Sequence, residues 1–369
     1  MKIQNIETFH AAIPLHTPFK TALRTVTVAE TIVVKITCDN GVTGWGEAPP
    51  THVITGDSLA SIRYAVSEIF KPLLLEKSLF NHEQIVEKIN KSLVGNTSAK
   101  AAVDMAIYDC MAKHANLPLA QYLGGYTEQI ETDYTVSVNS PEEMADDAQK
   151  YANDGFSVLK VKVGKDEINQ DIRRIEAIRK RIGSKATIRL DANQGWQAKE
   201  AVRAIRKMED LGLDIELIEQ PVKAYDFEGL QYVTANTETP IMADESVFSS
   251  RDARRILEMR AADLINIKLM KAGGIHEALK IAKLAHIYGV NCMVGSMIET
   301  KIGITAAAHF AASQPNVNRY DFDAPLMLAD DLIDGGVTYK QNAIDLGAEP
   351  GLGIERINEQ FIAEWPVGY

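Results

Sequence analysis

Residues 157–163 read SVLKVKV, a short apolar run that contains two lysines. Side chains at positions i and i+2 of a β-strand point to the same face. Lys160 and Lys162 therefore share one face of the predicted strand, and Val161 shares the other face with Val163. Two interpretations are open. The segment is either an edge strand, on which lysine blocks unwanted pairing, or a strand that directs two ammonium groups into a site.

This run is one of eight short apolar stretches that alternate with helix-like segments from about residue 131 onward. Alternation of this kind predicts a parallel sheet, and eight such strands favour a closed α/β barrel. Residues 1–125 differ, because a strand, a DNG turn and two helical segments (58–74 and 97–115) predict an α+β domain. The sequence thus predicts two domains of different class.

Polar residues recur at the ends of the predicted strands, about one βα unit apart. They are Lys162, Asp191, Glu219, Asp244, Lys268, Ser296 and Asp321. The C-terminal ends of barrel strands meet at one mouth, where active sites are built. A single carboxylate at such a position more often caps a helix. Three carboxylates on adjacent strands favour a shared site instead.

Asp191, Glu219 and Asp244 would repel one another unless a cation neutralised them. An all-oxygen ligand set without Cys or His favours a hard ion such as Mg²⁺. Asn193 and Glu245 are candidates for groups that contact these ligands from outside.

Lysines on either side of this predicted metal site suggest acid–base chemistry. A neighbouring ammonium and a divalent cation both disfavour the charged form, so we expect lowered pKa values for these lysines. Lys160 would act in this way on Lys162, and the metal would act on Lys268. A metal between two bases predicts removal of a proton α to a carboxylate and its return to the opposite face.

Bulk properties exclude several other classes. A net charge of −11 without a basic patch argues against nucleic-acid binding. The sequence shows neither a signal peptide nor an apolar stretch long enough to span a membrane, so a cytoplasmic location is expected. Three widely spaced cysteines predict neither a disulfide framework nor a CxxC metal site.

Taken together, the motifs KVKVG, RLDANQGW, IEQPV, MADES, INIKLMKAGG, MVGSMIETKIGI and RYDFDAPLML resemble the muconate-lactonising subgroup of the enolase superfamily. More narrowly, the chain resembles the dipeptide epimerases of that subgroup over essentially its full length. The resemblance implies a modified (β/α)7β TIM-like barrel over residues 126–334. It also implies an α+β capping domain, formed by residues 1–125 and completed by about 335–369.

Carried over by position, the resemblance implies that Mg²⁺ is bound by Asp191, Glu219 and Asp244, and that Lys162 and Lys268 are the two acid/base groups. The implied reaction is epimerisation of L-Ala-D-Glu and L-Ala-L-Glu by 1,1-proton transfer through an enediolate. The implied partners are a small dipeptide substrate and further copies of the chain in a homo-oligomer. Mandelate-racemase-like members would carry a histidine where Lys268 stands.

Two features narrow the substrate. Asp321 and Asp323 are expected to share a strand face, and the resemblance implies that they bind the dipeptide ammonium. It also implies that Arg24 pairs with the side-chain carboxylate of Glu, which a guanidinium suits. Further residues are expected to contact substrate: Thr135, Lys160, Ser296, Met297 and Ile298. The alternatives are an epimerase for another dipeptide, a cycloisomerase, an o-succinylbenzoate synthase, or a barrel that binds a metabolite without catalysis.

Overall fold

The structure is a computed structural model that describes residues 1–363. Its N-terminal part is a three-stranded antiparallel sheet, ordered β1 (Ile3–Lys20), β2 (Thr25–Cys38) and β3 (Thr43–Ala48). The predicted DNG turn joins β2 to β3, and its Gly41 has a φ of +82°, which glycine adopts without steric cost. The long strand β1 was not recognised in the sequence, because its prolines and polar residues interrupt the β pattern.

The helices of this part follow the sheet. They are α1 (Leu59–Tyr64), α2 (Lys71–Leu74), α3 (His82–Ser92), α4 (Thr97–His114) and α5 (Leu119–Tyr122). A π-helical turn at Ala65–Phe70 joins α1 to α2, and a 3₁₀ turn, Leu79–Asn81, precedes α3. Both predicted helical segments are therefore confirmed, the first of them as consecutive pieces.

Helix α4 packs closely on β3 because two glycines face it. A Cβ atom on Gly44 or Gly46 would lie 2.0 Å from the carbonyl oxygen of Ala106 or Ala102, respectively. Only glycine permits that approach, and the contact fixes α4 across the sheet.

Eight parallel strands form the second part of the chain, and each pairs with its sequence neighbour. They are β5 (Tyr134–Val136), β6 (Val158–Lys162), β7 (Thr187–Asp191), β8 (Ile215–Glu219), β9 (Ile241–Ala243), β10 (Leu264–Lys268), β11 (Asn291–Gly295) and β12 (Val317–Tyr320); β4 (Ile130–Glu131) precedes them in a separate sheet. Within the described residues, β12 and β5 share no ladder. They are joined instead where Asp133 N donates to Tyr320 O (3.2 Å) and Phe322 N donates to Thr132 Oγ1 (2.8 Å).

A helix lies in each of the seven connections between these strands. The helices are α6 (Pro141–Asn153), α7 (Ile168–Ile182), α8 (Ala198–Asp210), α9 (Phe227–Ala235), α10 (Ser250–Met259), the one-turn α11 (Leu269–Ala272), α12 (Ile275–Ile287) and α13 (Lys301–Ala312). After β12 comes only the one-turn helix α14 (Ala324–Met327). This confirms the expected α/β, (β/α)7β architecture with a capping sheet domain.

The tail adds short strands rather than another βα unit. Strand β13 (Ile333–Gly335) pairs with β16 (Ile354–Ile357), while β14 (Thr338–Lys340) and β15 (Ala343–Asp345) complete a sheet with β4. A 3₁₀ turn, Glu359–Phe361, follows. Isolated bridges from Gly351 to Pro118 and from Ile362 to Ala11 return the tail to the N-terminal part. Residues 364–369 of the expected cap completion lie outside the described residues.

Two further findings concern the cysteines and the length of the helices. Cys38, Cys110 and Cys292 are free and buried, as the odd and dispersed count predicted. Across residues 1–363, every helix is too short or too polar to cross a bilayer.

Candidate active site

Strand β6 is an interior strand of the barrel, paired with β5 on one side and β7 on the other. Lys160 and Lys162 are only 2% and 6% exposed, although both carry an ammonium group. The edge-strand interpretation is therefore wrong. Both side chains are directed into the mouth of the barrel, where carboxylates surround them.

One side of the mouth is built around Asp191. Lys162 Nζ lies 2.6 Å from Asp191 Oδ2, and Lys160 Nζ lies 3.3 Å from the same oxygen. Lys160 also lies 2.8 Å from Glu219 Oε2 and 2.7 Å from Asp321 Oδ2. A single buried ammonium thus contacts three carboxylates at or just after the ends of different strands.

The other side is built around Asp244. Lys268 Nζ lies 2.9 Å from Asp244 Oδ2, and Lys271 Nζ lies 2.7 Å from Asp244 Oδ1. Lys271 also donates to the carbonyl oxygens of Val247 (3.1 Å) and Asn266 (3.0 Å). Sequence reasoning missed Lys271. Its only signal is a second lysine in INIKLMKAGG, three residues after the predicted base.

For the charges that the protein itself supplies, the expectation of a lowered pKa is wrong for Lys268. Burial opposes the ammonium form of Lys268 and Lys160, but the surrounding carboxylates outweigh it and hold both pKa values above the ordinary range. Asp244 acts most strongly on Lys268 and Asp321 on Lys160. A nearby ammonium has a smaller opposite effect on Lys268, since Lys160 lowers its pKa.

The carboxylates respond in opposite directions according to their lysine contacts. Burial would raise the pKa of Asp191, but Lys162 and Lys160 lower it to about 2. The pKa of Asp244 is likewise held well below its usual range by Lys268 and Lys271 against the effect of burial. Burial and the charge of Asp191 raise the pKa of Glu219 to about 7. Of the three carboxyls, Glu219 is therefore the most readily protonated.

These three carboxyls have the chemistry of a hard-metal site, although no three His, Cys, Asp or Glu side chains converge on one point in ligand geometry within residues 1–363. Asp191 and Glu219 are register partners on β7 and β8, and Asp244 directly follows β9. Each carboxyl is turned onto a neighbouring lysine or amide. An all-oxygen set of three adjacent carboxyls fits Mg²⁺.

Amide side chains donate hydrogen bonds to these carboxyls, as predicted for Asn193. Its Nδ2 lies 3.3 Å from Asp191 Oδ2 and 3.4 Å from Glu245 Oε1, and its backbone N–H donates to Asp191 Oδ1 (2.9 Å). Asn266, which sequence reasoning missed, donates to Glu219 Oε1 (2.7 Å). Asn193 Oδ1, Glu245 Oε2 and Asn266 Oδ1 are buried without a hydrogen-bond partner. Unsatisfied oxygens beside three carboxyls fit a site for a cation and its water ligands.

A second missed residue, Gln220, shapes the loop that carries Asp244. Gln220 Oε1 accepts hydrogen bonds from the backbone N–H groups of Asp244 (2.9 Å) and Ser246 (3.1 Å). Its φ of +38° is unusual for a non-glycine residue and is held by these side-chain contacts. Gln220 in the IEQPV motif therefore positions one carboxyl relative to the next.

A pocket with a cavity volume of about 50 Å³ opens above these groups. It is lined by Phe19, Thr21, Leu23, Arg24, Val53, Ile54, Thr135, Lys160, Lys162, Asn193, Lys268, Ser296, Met297, Ile298, Asp321 and Asp323. The structure thus brings together both predicted bases and every residue predicted to face substrate. Sequence reasoning missed the apolar members from the N-terminal part, because isolated apolar residues in loops or at a strand end carry no distinguishing pattern.

Arg24 reaches the pocket from the tip of the β1–β2 hairpin. Thr21 Oγ1 accepts from the backbone N–H groups of Leu23 and Arg24, and Thr21 N donates to Arg24 O (3.0 Å), which holds the turn. In the described part of the chain, the Arg24 guanidinium pairs with no carboxylate. Phe19, on the same hairpin, has its ring centre 5.9 Å from Lys162 Nζ.

Asp321 and Asp323 both line the pocket, but the expectation that they share a strand face is wrong. Strand β12 ends at Tyr320, and Asp323 adopts a helical conformation at the start of α14. Its carboxylate accepts a hydrogen bond from Thr135 N (2.6 Å), while Asp321 contacts Lys160. Burial and the charge of Asp321 raise the pKa of Asp323 to about 7.

Comparison with known proteins agrees with this geometry. Residues 3–124 match the family described as mandelate racemase/muconate lactonizing enzyme, N-terminal domain. Residues 143–360 match the enolase C-terminal domain-like family. The chain belongs to the enolase superfamily.

Several relatives within this superfamily are similar over nearly their whole length. The L-Ala-D/L-Glu epimerase of Bacillus subtilis is 63% identical over 96% of this chain and 97% of its own. A substrate-liganded structure of the Bacillus subtilis L-Ala-D/L-Glu epimerase superposes with a TM-score of 0.96, at 62% identity, over 97% of this chain and 100% of the other. A dipeptide epimerase from Enterococcus faecalis, complexed with Mg and L-Leu-L-Tyr, superposes with a TM-score of 0.94 at 44% identity, over 96% of this chain and 100% of the other.

Proposed function

We propose that this enolase-superfamily member is a Mg²⁺-dependent epimerase that interconverts L-Ala-D-Glu and L-Ala-L-Glu at the Glu α-carbon. The broader assignment, an isomerase that acts on dipeptides, follows from full-length similarity to dipeptide epimerases. One structural observation carries the finer proposal. Two lysines, Lys162 and Lys268, approach one small pocket from opposite sides of three buried carboxyls.

The carboxyls and the lysines of the site have different roles in the proposed reaction. Mg²⁺ bound by Asp191, Glu219 and Asp244 would supply Lewis-acid stabilisation of the negative charge on the substrate carboxylate. Lys162 and Lys268 face the α-carbon from opposite sides, so that one accepts the α-proton and the other donates a proton to the opposite face. Lys160, in contact with Asp191, Glu219 and Asp321, holds positive charge where the substrate carboxylate binds.

The basicity of the lysines depends on the same carboxyls. Asp244 and Glu219 favour the ammonium form of Lys268 through their negative charge. A cation held by Asp191, Glu219 and Asp244 would offset the negative charge that favours the ammonium form of Lys268 and would make its ammonium a better acid and its amine a usable base.

Substrate recognition follows from charge at the two ends of the pocket. The Arg24 guanidinium, free of internal carboxylates in the described chain, suits the side-chain carboxylate of Glu. Asp321 and Asp323 suit the ammonium of the N-terminal residue, and Thr135 N holds Asp323 in place. A substrate with an anion at one end and a cation at the other satisfies both.

A second candidate is epimerisation of a more apolar dipeptide. Phe19, Leu23, Val53 and Ile54 give the pocket an apolar roof, and a similar structure from Enterococcus faecalis is complexed with L-Leu-L-Tyr. Cycloisomerase and o-succinylbenzoate synthase activities are less well supported, because their substrates lack an ammonium and would meet the Asp321–Asp323 pair with like charge.

The proposal is tested by incubating L-Ala-L-Glu with enzyme and Mg²⁺ in D₂O and following the Glu α-proton by NMR. The expected result is loss of that signal together with appearance of the L-Ala-D-Glu diastereomer, both abolished by EDTA and restored by Mg²⁺. L-Leu-L-Tyr is run in parallel. Turnover of L-Leu-L-Tyr alone would select the second candidate, and turnover of neither dipeptide would overturn both.

A further inference from the structure

Glu47 is a fully buried carboxyl on β3 that reaches from the capping domain into the barrel. It accepts hydrogen bonds from Thr300 N (2.8 Å), from Thr300 Oγ1 and from the backbone N–H of Gly303. Thr300 is the N-cap residue of helix α13. A side chain from one domain thus satisfies the free N–H groups at the start of a helix in the other domain.

The loop before this helix, Ser296–Thr300, faces the substrate pocket. Ser296, Met297 and Ile298 line the pocket, and Glu299 Oε1 accepts a hydrogen bond from Met297 N (2.8 Å), which fixes the turn of the loop. The other oxygen, Glu299 Oε2, is buried without a hydrogen-bond partner. It lies beside Glu47, because a Cβ atom on Gly303 would be 2.3 Å from Glu299 Oε2 and 2.7 Å from Glu47 Oε1.

We propose that Glu47 is a positioning residue that fixes the substrate-facing loop Ser296–Thr300 from the capping domain. It acts through Thr300 and Glu299 and touches neither the substrate nor the acid/base lysines. Docking of the capping domain onto the barrel therefore also fixes the shape of this wall of the pocket. The kinetic part of this inference rests on the proposed function, whereas its structural part does not.

The two neighbouring carboxyls favour a protonated partner at neutral pH. Burial raises the pKa of Glu47 to about 7. Burial and the charge of Glu47 raise the pKa of Glu299 to about 8, while Lys268 opposes that rise and Asp321 adds to it. A proton shared between the two carboxyls would give the unpartnered Oε2 of Glu299 a hydrogen-bond partner. A glutamine at position 47 can replace Glu47, because its carbonyl oxygen in the Oε1 position accepts from Thr300 N and from a protonated Glu299, while its NH₂ in the Oε2 position donates to Thr300 Oγ1.

The chain offers a matched control in Asp104. This buried carboxylate on α4 accepts from Ile275 N (2.5 Å) and His276 N (3.2 Å), at the start of helix α12. Asp104 and Glu47 therefore make the same type of contact between the capping domain and neighbouring barrel helices. Only the helix held by Glu47 continues from the loop that lines the pocket.

The test compares Glu47→Ala, Glu47→Gln and Asp104→Ala in the full chain by amide hydrogen exchange and by steady-state kinetics. For Glu47→Ala we expect exchange in residues 296–303 to rise by about tenfold or more. We also expect KM for L-Ala-L-Glu to rise by about fivefold or more while kcat changes by less than about threefold. Glu47→Gln should restore both values, and Asp104→Ala should leave both near wild type.

Unchanged exchange in residues 296–303 of Glu47→Ala, or an equal rise in KM for Asp104→Ala, would overturn the inference. If Glu47→Ala does not fold, Gly303→Ala replaces it. Alanine is the better helix former, and its Cβ displaces the two carboxyl ends directly. The same rise in exchange and KM is then expected, and wild-type values would overturn the inference. A wild type without dipeptide turnover would refute the proposed function, and hydrogen exchange would still decide this inference.

Discussion

The floor and the roof of the pocket are built on different principles. The floor consists of strand ends of the barrel, where buried lysines and carboxyls contact one another at 2.6–3.3 Å. The roof consists of capping-domain residues, among which Phe19, Leu23, Val53 and Ile54 are apolar and Arg24 is the charged member. The side chains of the floor are held by several buried ion pairs and have little freedom to move. The separate side chains of the roof have more. We therefore expect floor substitutions to reduce kcat and roof substitutions to change KM.

The strongest test of the floor removes one lysine at a time. We expect Lys162→Ala and Lys268→Ala each to reduce epimerisation by roughly 10³-fold or more, since each removes one of the two proposed proton-transfer groups. Exchange of the α-proton with D₂O, measured by NMR, should persist for one stereoisomer in one variant and for the other stereoisomer in the other. The exposed Lys165→Ala is the control. If both stereoisomers exchange at wild-type rates in either variant, the two-base mechanism is wrong.

The next effect concerns the stability of the floor. Lys271→Met removes the ammonium that contacts Asp244 and two further backbone carbonyl oxygens, all of them buried. Loss of one partner from a buried ion pair typically costs about 3–5 kcal/mol. We expect the free energy of unfolding, measured by urea denaturation, to fall by that amount.

Lys165→Met serves as the matched exposed variant and should change the free energy of unfolding by less than about 0.5 kcal/mol. Equal stability of the Lys271→Met and Lys165→Met proteins would mean that Asp244 does not depend on its second lysine.

The roof is tested through Arg24. Arg24→Met should raise KM for L-Ala-L-Glu roughly 30-fold with little change in kcat, because a charge-assisted hydrogen bond contributes about 2 kcal/mol to binding. KM for L-Ala-L-Gln, which lacks the side-chain charge, should change less than about threefold. A similar loss for both dipeptides would show that Arg24 shapes the roof rather than recognising the carboxylate.

The smallest expected effect is a pH dependence at the edge of the floor. The pKa of Asp323, raised to about 7, means that its carboxyl is ionised above pH 7 and protonated below it. Only the ionised form attracts the substrate ammonium, so kcat/KM should fall roughly tenfold between pH 8 and pH 6. Asp323→Asn should show a low kcat/KM without this step. Retention of the step in that variant would assign it to another group.

Residues at strand ends were the part of the site that the sequence predicted well. Strand periodicity places Lys162, Asp191, Glu219, Asp244 and Lys268 at one mouth. In the structure, Lys162 pairs with Asp191, Lys268 pairs with Asp244, and Glu219 lies in register beside Asp191. The (β/α)7β architecture and the superfamily follow from the same pattern and its motifs. Local spacing is sufficient to predict these residues, because residues that recur at the ends of successive strands in a parallel barrel all lie around one mouth.

Residues whose role depends on a distant part of the chain were not predictable in the same way. Lys271 and Gln220 look like ordinary polar residues until tertiary contacts bury them beside Asp244. The raised pKa of Lys268 depends on the sum of burial and several opposing charges, which residue order does not reveal. Asp323 departs from the predicted strand because the barrel ladder ends at Tyr320.

The pocket draws on residues from Phe19 to Asp323 of a 369-residue chain, and Glu47 reaches Thr300 across 253 positions. A nascent chain on the ribosome that has emerged only as far as β11 already contains both proposed acid/base lysines and the three predicted metal ligands. It lacks Asp321 and Asp323, which follow β12. The hairpin that carries Arg24 emerges first and can meet the completed pocket only near the end of synthesis. The proposed substrate pocket is therefore completed only late in translation.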